Sequence, residues 1–216
     1  MEFKTLEVCG MEQAIAGMRN PLKSYAKADS RTYELGSEDA DMFWLGENDR
    51  KLATNLWKAG TEHRKWLRMV QVWVDIEAPR YFWSEFDTYK IGTTANSEST
   101  MHKLKDERLD CSCVEFDWGA SKIADTAMLD TLCTLRNLQQ MMKEAAPEDK
   151  DKYHRLMKGL LPEGFIQKRT VNLNYETLAN MYHQRKNHRL PQWSKDFVNW
   201  VETLPYSEFI TGKFDK

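Results

Sequence analysis

The stretch WLRMVQVWVDIEAPRYFWSEFDTYK (Trp66–Lys90) decides the fold class. Val70, Val72, Val74 and Ile76 alternate with Gln71, Trp73, Asp75 and Glu77, the period of a strand with one buried face. Pro79 stops that strand and suits the first position of a helix, where its missing N–H would go unbonded anyway. Phe82, Phe86 and Tyr89 then recur at i, i+4 and i+7, so Pro79–Lys90 reads as an amphipathic helix. The aromatic run ends in IGTTANSEST (Ile91–Thr100), rich in small, hydroxyl and amide side chains.

Upstream, Phe3–Val8 reads as a short strand and Glu12–Met18 as a helix closed by Pro21. Residues 24–48 are polar and charged with scattered aromatics, the pattern of an extended loop or flap, and long loops inside compact domains are often functional. Asp49–Ala59 reads as a helix capped by Asp49, with Leu52 and Leu56 on one face and Gly60 at its end. Downstream, residues 103–121 are charged and irregular. From Ser121, Met128, Leu132, Leu135 and Met142 share a helical stripe until Pro147, and a second helix covers Glu148–Met157. Another begins near Asn174 and carries Leu178, Met181, Tyr182 and Arg185; Pro191 breaks it, and Phe197, Trp200, Val201 and Leu204 define a last amphipathic helix. The first half is mixed and the second mainly helical, so the expectation is a single α+β domain over residues 1–216.

Composition narrows the function classes. With 216 residues, 41% of them hydrophobic, the chain has the apolar mass for a core. Thirty-one basic and 33 acidic residues leave a net charge of −2, so no global field draws the chain to nucleic acid or to anionic membrane. No apolar run is long enough to span a bilayer, and the N-terminus has neither a signal- nor a transit-peptide pattern, which points to the cytoplasm. Four cysteines (Cys9, Cys111, Cys113, Cys133) fit a reducing compartment, and without a C-x-x-C pair or a nearby His they are read as ordinary thiols rather than metal ligands.

Three constellations stand out. Glu62-His63 follows Gly60 at a junction between helix and strand, where most histidines satisfy a local hydrogen bond. Gly92, Thr93, Thr94, Asn96, Ser97, Ser99 and Thr100 offer backbone N–H groups and hydroxyls suited to a phosphate or base edge, or equally to a solvated loop with its own turns. HQRKNHR (His183–Arg189) carries more basic residues than a helix C-terminus needs, and Arg185 can read carboxylate, phosphate or a pyrimidine edge through its planar fork. His183 and His188 are five apart, a poor spacing for two ligands of one metal.

Taken in order, these pieces resemble the flavin-dependent thymidylate synthases. That family's pattern runs G-H-x-x-P-F-E-H, a strand, A-P, a helix ending in R-H-R, then x-x-S-x-N-E-x-S-x-R-Y, R-x-x-L-P, and a helix with two Asn and an Arg that ends in H-A-Q. EHRKWLR falls at the first element, and His63 lies the family's distance before Ala78-Pro79. Thr88-Tyr89-Lys90 fall on R-H-R; with one inserted residue, Asn96 falls on the motif Asn and Ser99 on its second Ser. Lys158 of MKGLLPEGF takes the Arg position of R-x-x-L-P, and Asn174, Asn180 and Arg185 land on the last helix's two Asn and Arg, with Gln192 beyond.

The resemblance implies the family's α+β fold with an antiparallel sheet, a homotetramer with sites between subunits, and a nucleotide bound by Lys90, Asn96, Ser97, Ser99, Lys158, Asn174, Asn180 and Arg185. It implies FAD against His63, Thr88, Tyr89 and Lys90, with NADPH and methylenetetrahydrofolate as co-substrates of dUMP methylation in an active member. The departures fall on the charged positions. Of the R-H-R triplet only Lys90 keeps its charge, the motif Glu is Ser97, the phosphate-binding Arg is Met101, and Glu176 stands where a second helix Arg is expected. Each lost charge-assisted phosphate contact is worth roughly 1.5–3 kcal/mol. Three functions stay open: a nucleotide-binding protein that no longer runs the flavin reaction, an active FAD-dependent methylating enzyme, and an interaction module without a small-molecule ligand.

Overall fold

The computed structural model describes residues 1–33 and 42–214. In chain order the elements are β1 (Glu2–Cys9), α1 (Met11–Gly17), β2 (Arg31–Tyr33), β3 (Met42–Trp44), α2 (Glu47–Lys58), β4 (Gln71–Pro79), α3 (Arg80–Phe86), β5 (Thr93–Ser97), α4 (Thr100–Lys103), α5 (Lys122–Glu144), α6 (Pro147–Leu160), β6 (Ile166–Asn174), α7 (Tyr175–Arg185), α8 (Val198–Glu202) and α9 (Glu208–Thr211). The fold is mixed α+β, with a four-stranded antiparallel sheet in the order β1-β4-β6-β5 and a separate β2-β3 ladder. The antiparallel sense of β4 and β6 is written in two backbone bonds: Tyr175 N–H donates to Val70 O at 3.1 Å, and ten residues up one strand and ten back along the other, Arg80 N–H donates to Phe165 O at 3.1 Å.

The chain forms two compact, interleaved units: Met1–Glu2, Ile76–Thr88 and Asn96–Thr170 make the first, and Phe3–Asp75, Tyr89–Ala95 and Val171–Lys216 the second. In the first, the expected stripe of α5 holds: Leu132, Leu135 and Met142 are buried against Met157 of α6 and against Leu104, Leu109, Val114, Leu161 and Phe165. Ser121 caps α5 through a bond from Ala124 N–H. Trp83 is buried, its indole N–H donating to Ala78 O and Gln167 O. In the second unit Val70, Val72 and Val74 of the predicted strand are buried, as are Leu173, Leu178, Met181, Trp193, Phe197 and Phe209. Phe3 of β1 stacks on Trp200 at 4.7 Å, and Trp66 meets Phe209 edge-on at 5.1 Å.

Several local expectations are corrected. The helix after Pro79 stops at Phe86, and Tyr89 lies beyond it, because the Thr88 hydroxyl and N–H both bond Glu85 O and close the last turn. Pro79 itself is the extended N-cap residue. The polar stretch is not a loop: Thr93–Ser97 forms edge strand β5, after which Glu98 N–H donates to Lys168 O and the Glu98 carboxylate accepts from Lys168 N–H. Its partner β6 is a strand that the periodicity does not announce. α2 begins at Glu47, and its open N–H groups at Asn48 and Asp49 donate to the carboxylate of Asp29, far away in sequence. Asp49 is therefore not the cap. Within the expected flap, Arg31–Tyr33 pairs with Met42–Trp44; residues 34–41 of that stretch lie outside the described residues. The last expected helix opens with a π-helical turn, Gln192–Phe197.

Candidate functional site

The second unit brings together Tyr89 and Arg185. Arg185 sits in the last turn of α7, a helix that begins where Asn174 accepts a hydrogen bond from Thr177 N–H at 3.0 Å. Its Nε–H donates to the Tyr89 hydroxyl at 2.8 Å, and that hydroxyl donates in turn to Gln184 Oε1 at 2.9 Å. The guanidinium carbon lies 5.4 Å from the Tyr89 ring centre and 4.8 Å from that of Trp193, within cation–π range of both. Arg185 and Tyr89 are half-buried and Trp193 fully buried, so one face of the guanidinium is held by rings while the side chain still reaches solvent.

The loop that carries Tyr89 is pinned at Gly92. Its φ of 74° is a left-handed conformation, and a Cβ there would lie 2.5 Å from Thr177 Oγ1 and 2.6 Å from Asn174 Nδ2. The Thr177 hydroxyl bridges Asn174 Oδ1 at 3.2 Å and Ile91 O at 3.3 Å. Asn174 thus works as the cap of α7 and as the seat of this loop. Lys90 and Asn180 are exposed. Asn180 and Arg185 are five residues apart, about 140° around a helix, and leave α7 on different sides. Partial desolvation, with Lys186 and Arg64 adding to it, pushes the His183 imidazole below its ordinary range.

His63 lines a different part of the same unit, a cleft of about 550 Å³ with Ala14, Met18, Leu56, Trp66 and Met69 as apolar walls. Arg68 on its rim is ion-paired with Glu176, so the acid that replaces an expected Arg on α7 is neutralised within the fold.

Thr88, Asn96, Ser97, Ser99 and Lys158 fall in the first unit. Thr88, Asn96 and Ser97 are exposed; Ser99 and Thr100 line a niche of about 30 Å³ with Lys103, Phe165 and Gln167, enough for a water and too small for a base. Lys158 Nζ donates to Thr100 Oγ1, and His154 Nε2 lies 3.4 Å from Thr100 O. Trp193, which flanks Arg185, and Thr177, which seats the Gly92 loop, are not singled out by motif reasoning, and Gln184 only as part of HQRKNHR; the aromatic two residues after Pro191 was the available signal for Trp193. Among the described residues no cluster of three or more His, Cys, Asp or Glu is placed to hold a metal ion, and no helix is long and apolar enough to cross a membrane.

Two crystal structures of thymidylate synthase X (ThyX) from Helicobacter pylori, both described with FAD and dUMP, superpose on this chain with TM-scores of 0.69 and 0.70. Each covers 97% of this chain and 96% of the other, at 14% and 16% sequence identity respectively. No protein-family model and no curated protein matches the sequence. Near-complete coverage at such low identity establishes that this chain has the ThyX fold.

Proposed function

We propose that the chain binds a nucleotide at Arg185 and holds or sequesters it without the family's flavin chemistry. The setting of Arg185 carries this reading. With Nε bonded to Tyr89 and the guanidinium held near two rings, Arg185 is oriented in advance of any ligand, which lowers the entropy lost on recognition of a phosphate or a pyrimidine edge. The two ThyX neighbours, whose structures hold FAD and dUMP, support a nucleotide as the ligand class. The flavin itself is a poor fit. The Thr88 hydroxyl is spent on Glu85 O and the Tyr89 hydroxyl on Gln184, which leaves Lys90 as the triplet's single cation for a pyrophosphate. The reading therefore assigns no flavin-dependent step to these residues.

Calorimetry with a panel of mono-, di- and cyclic nucleotides tests the proposal. Saturable binding is expected, weakened about tenfold or more in Arg185→Ala and not restored in Arg185→Lys, which lacks the planar fork. Failure of every nucleotide to bind would overturn it. A second reading, FAD- and NADPH-dependent one-carbon transfer from methylenetetrahydrofolate to dUMP, is favoured by the ligands of the neighbours alone. It requires a protein that purifies yellow or regains a flavin band on incubation with FAD; the first reading expects a colourless protein that does neither.

A further inference from the structure

A cleft of about 630 Å³ lies in the second unit, away from every residue discussed above as a nucleotide or cofactor contact. One wall is a face of α2: Arg50, Thr54 and Lys58 recur every four residues, a polar stripe about 12 Å long. Opposite stand Glu202 of α8, Ser207 before α9, Glu208 and Thr211 of α9, and Lys213 and Phe214 beyond it. The volume is that of a small-molecule site, but the lining is polar, unlike the apolar pockets most such ligands occupy.

The charges in the cleft are not equivalent. Arg50 is paired with Glu208 and Lys213 with Glu202. Lys58 has no carboxylate partner among the described residues; its ammonium instead lies 5.7 Å from the centre of the Phe214 ring. Phe214 is a fixed platform, edge-on to Trp57 at 5.1 Å and to Phe209 at 5.7 Å. The cleft thus presents one uncommitted cation beside an aromatic face, two carboxylates with lone pairs left to accept hydroxyl donors, and the hydroxyls of Thr54 and Ser207. A ligand matching this set needs one anionic group, several hydroxyls and a C–H face to lie on a ring. We propose that the cleft binds an acidic sugar, with its anionic group at Lys58 and its hydroxyls at Glu202 and Glu208. A sugar phosphate and a sugar carboxylate share that chemistry.

Titration calorimetry of the whole chain with glucose 6-phosphate, gluconate and glucose tests the assignment. Saturable binding of either acidic ligand at millimolar concentration is expected, with glucose at least about tenfold weaker for want of the charge-assisted contact. Binding of the phosphate alone or of the carboxylate alone identifies the source of the anion. The exposed substitution Lys58→Glu is expected to lower affinity by about tenfold or more while the urea midpoint stays put. Phe214→Ala is expected to weaken all three sugars together. No saturable binding to the wild-type chain, glucose binding as tightly as glucose 6-phosphate, or unchanged affinity in Lys58→Glu would each overturn the proposal. The cleft shares no residue with the Arg185 site, so either can fail while the other stands.

Discussion

Four hydrogen bonds converge on the carboxylate of Asp49. It is 1% exposed, on the first turn of α2, and its carboxylate accepts from Arg19 Nε (2.9 Å), Asp29 N–H (3.1 Å), Ser30 N–H (3.0 Å) and Ser30 Oγ (2.8 Å). Arg19, 5% exposed, also donates to Lys27 O, so the pair ties residues 19–30 to α2. Burial pushes the carboxyl up, but the bonds from Ser30, Arg19 and the two backbone N–H groups outweigh it and hold it below the usual carboxylate range. A group whose folded pKa is depressed contributes stability above its unfolded value, near 4, and loses it as pH falls through the folded value. Urea midpoints are thus expected to drop below about pH 4 in the wild type, with a smaller acid-dependent drop in Asp49→Asn. Asp49→Ala strands Arg19 and is expected to cost about 3–5 kcal/mol. An Asp49→Ala protein as stable as the wild type in a urea melt would refute the role. Position 49 is legible in the sequence as a capping type of residue; that Asp29 caps α2 instead is not, since the two are joined only by the folded chain.

Among the elements, the loop joining α3 to β5 is held by one glycine. Replacing Gly92 with Ala puts a side chain into a left-handed backbone and against Asn174 Nδ2 and Thr177 Oγ1, the latter already bonded to Asn174 Oδ1 and to Ile91 O of the loop. A loss of about 1–2 kcal/mol is expected in chemical denaturation. Nucleotide affinity should fall with it, because Tyr89 and Arg185 are aligned by this contact; full affinity in a destabilised Gly92→Ala protein would separate the two. In the other unit, Leu135→Ala empties a fully buried position of the α5 stripe and is expected to cost about 2–5 kcal/mol, whereas Ile123→Ser on the same helix, where Ile123 is 85% exposed, is expected to change stability little. α5 was legible because a long helix with one buried stripe records its own environment every three or four residues. β5 was not: an edge strand with both faces exposed shows no alternation, and its strand character comes from pairing with β6.

For the whole molecule, the resemblance implies a homotetramer with sites completed by neighbouring subunits, and that expectation belongs with the nucleotide proposal. Light scattering is expected to report four chains; a monomer that still binds a nucleotide through Arg185 would remove the tetramer and leave the site.

What the amino-acid order determined by itself was the kind of fold. The Val70–Ile76 alternation, the α5 stripe and the motif order from His63 to Arg185 point to a mixed α+β chain of the kind the ThyX structures share. Such signals are local, because each residue's hydrophobicity reports which way that residue faces. Only the tertiary structure decided which partners those residues meet. It placed Tyr89 against Arg185, neutralised Glu176 with Arg68, and put Asn96, Ser97, Ser99 and Lys158 in a different unit from Arg185. Those outcomes depend on pairings between segments far apart in the chain, and such pairings leave no period in the sequence.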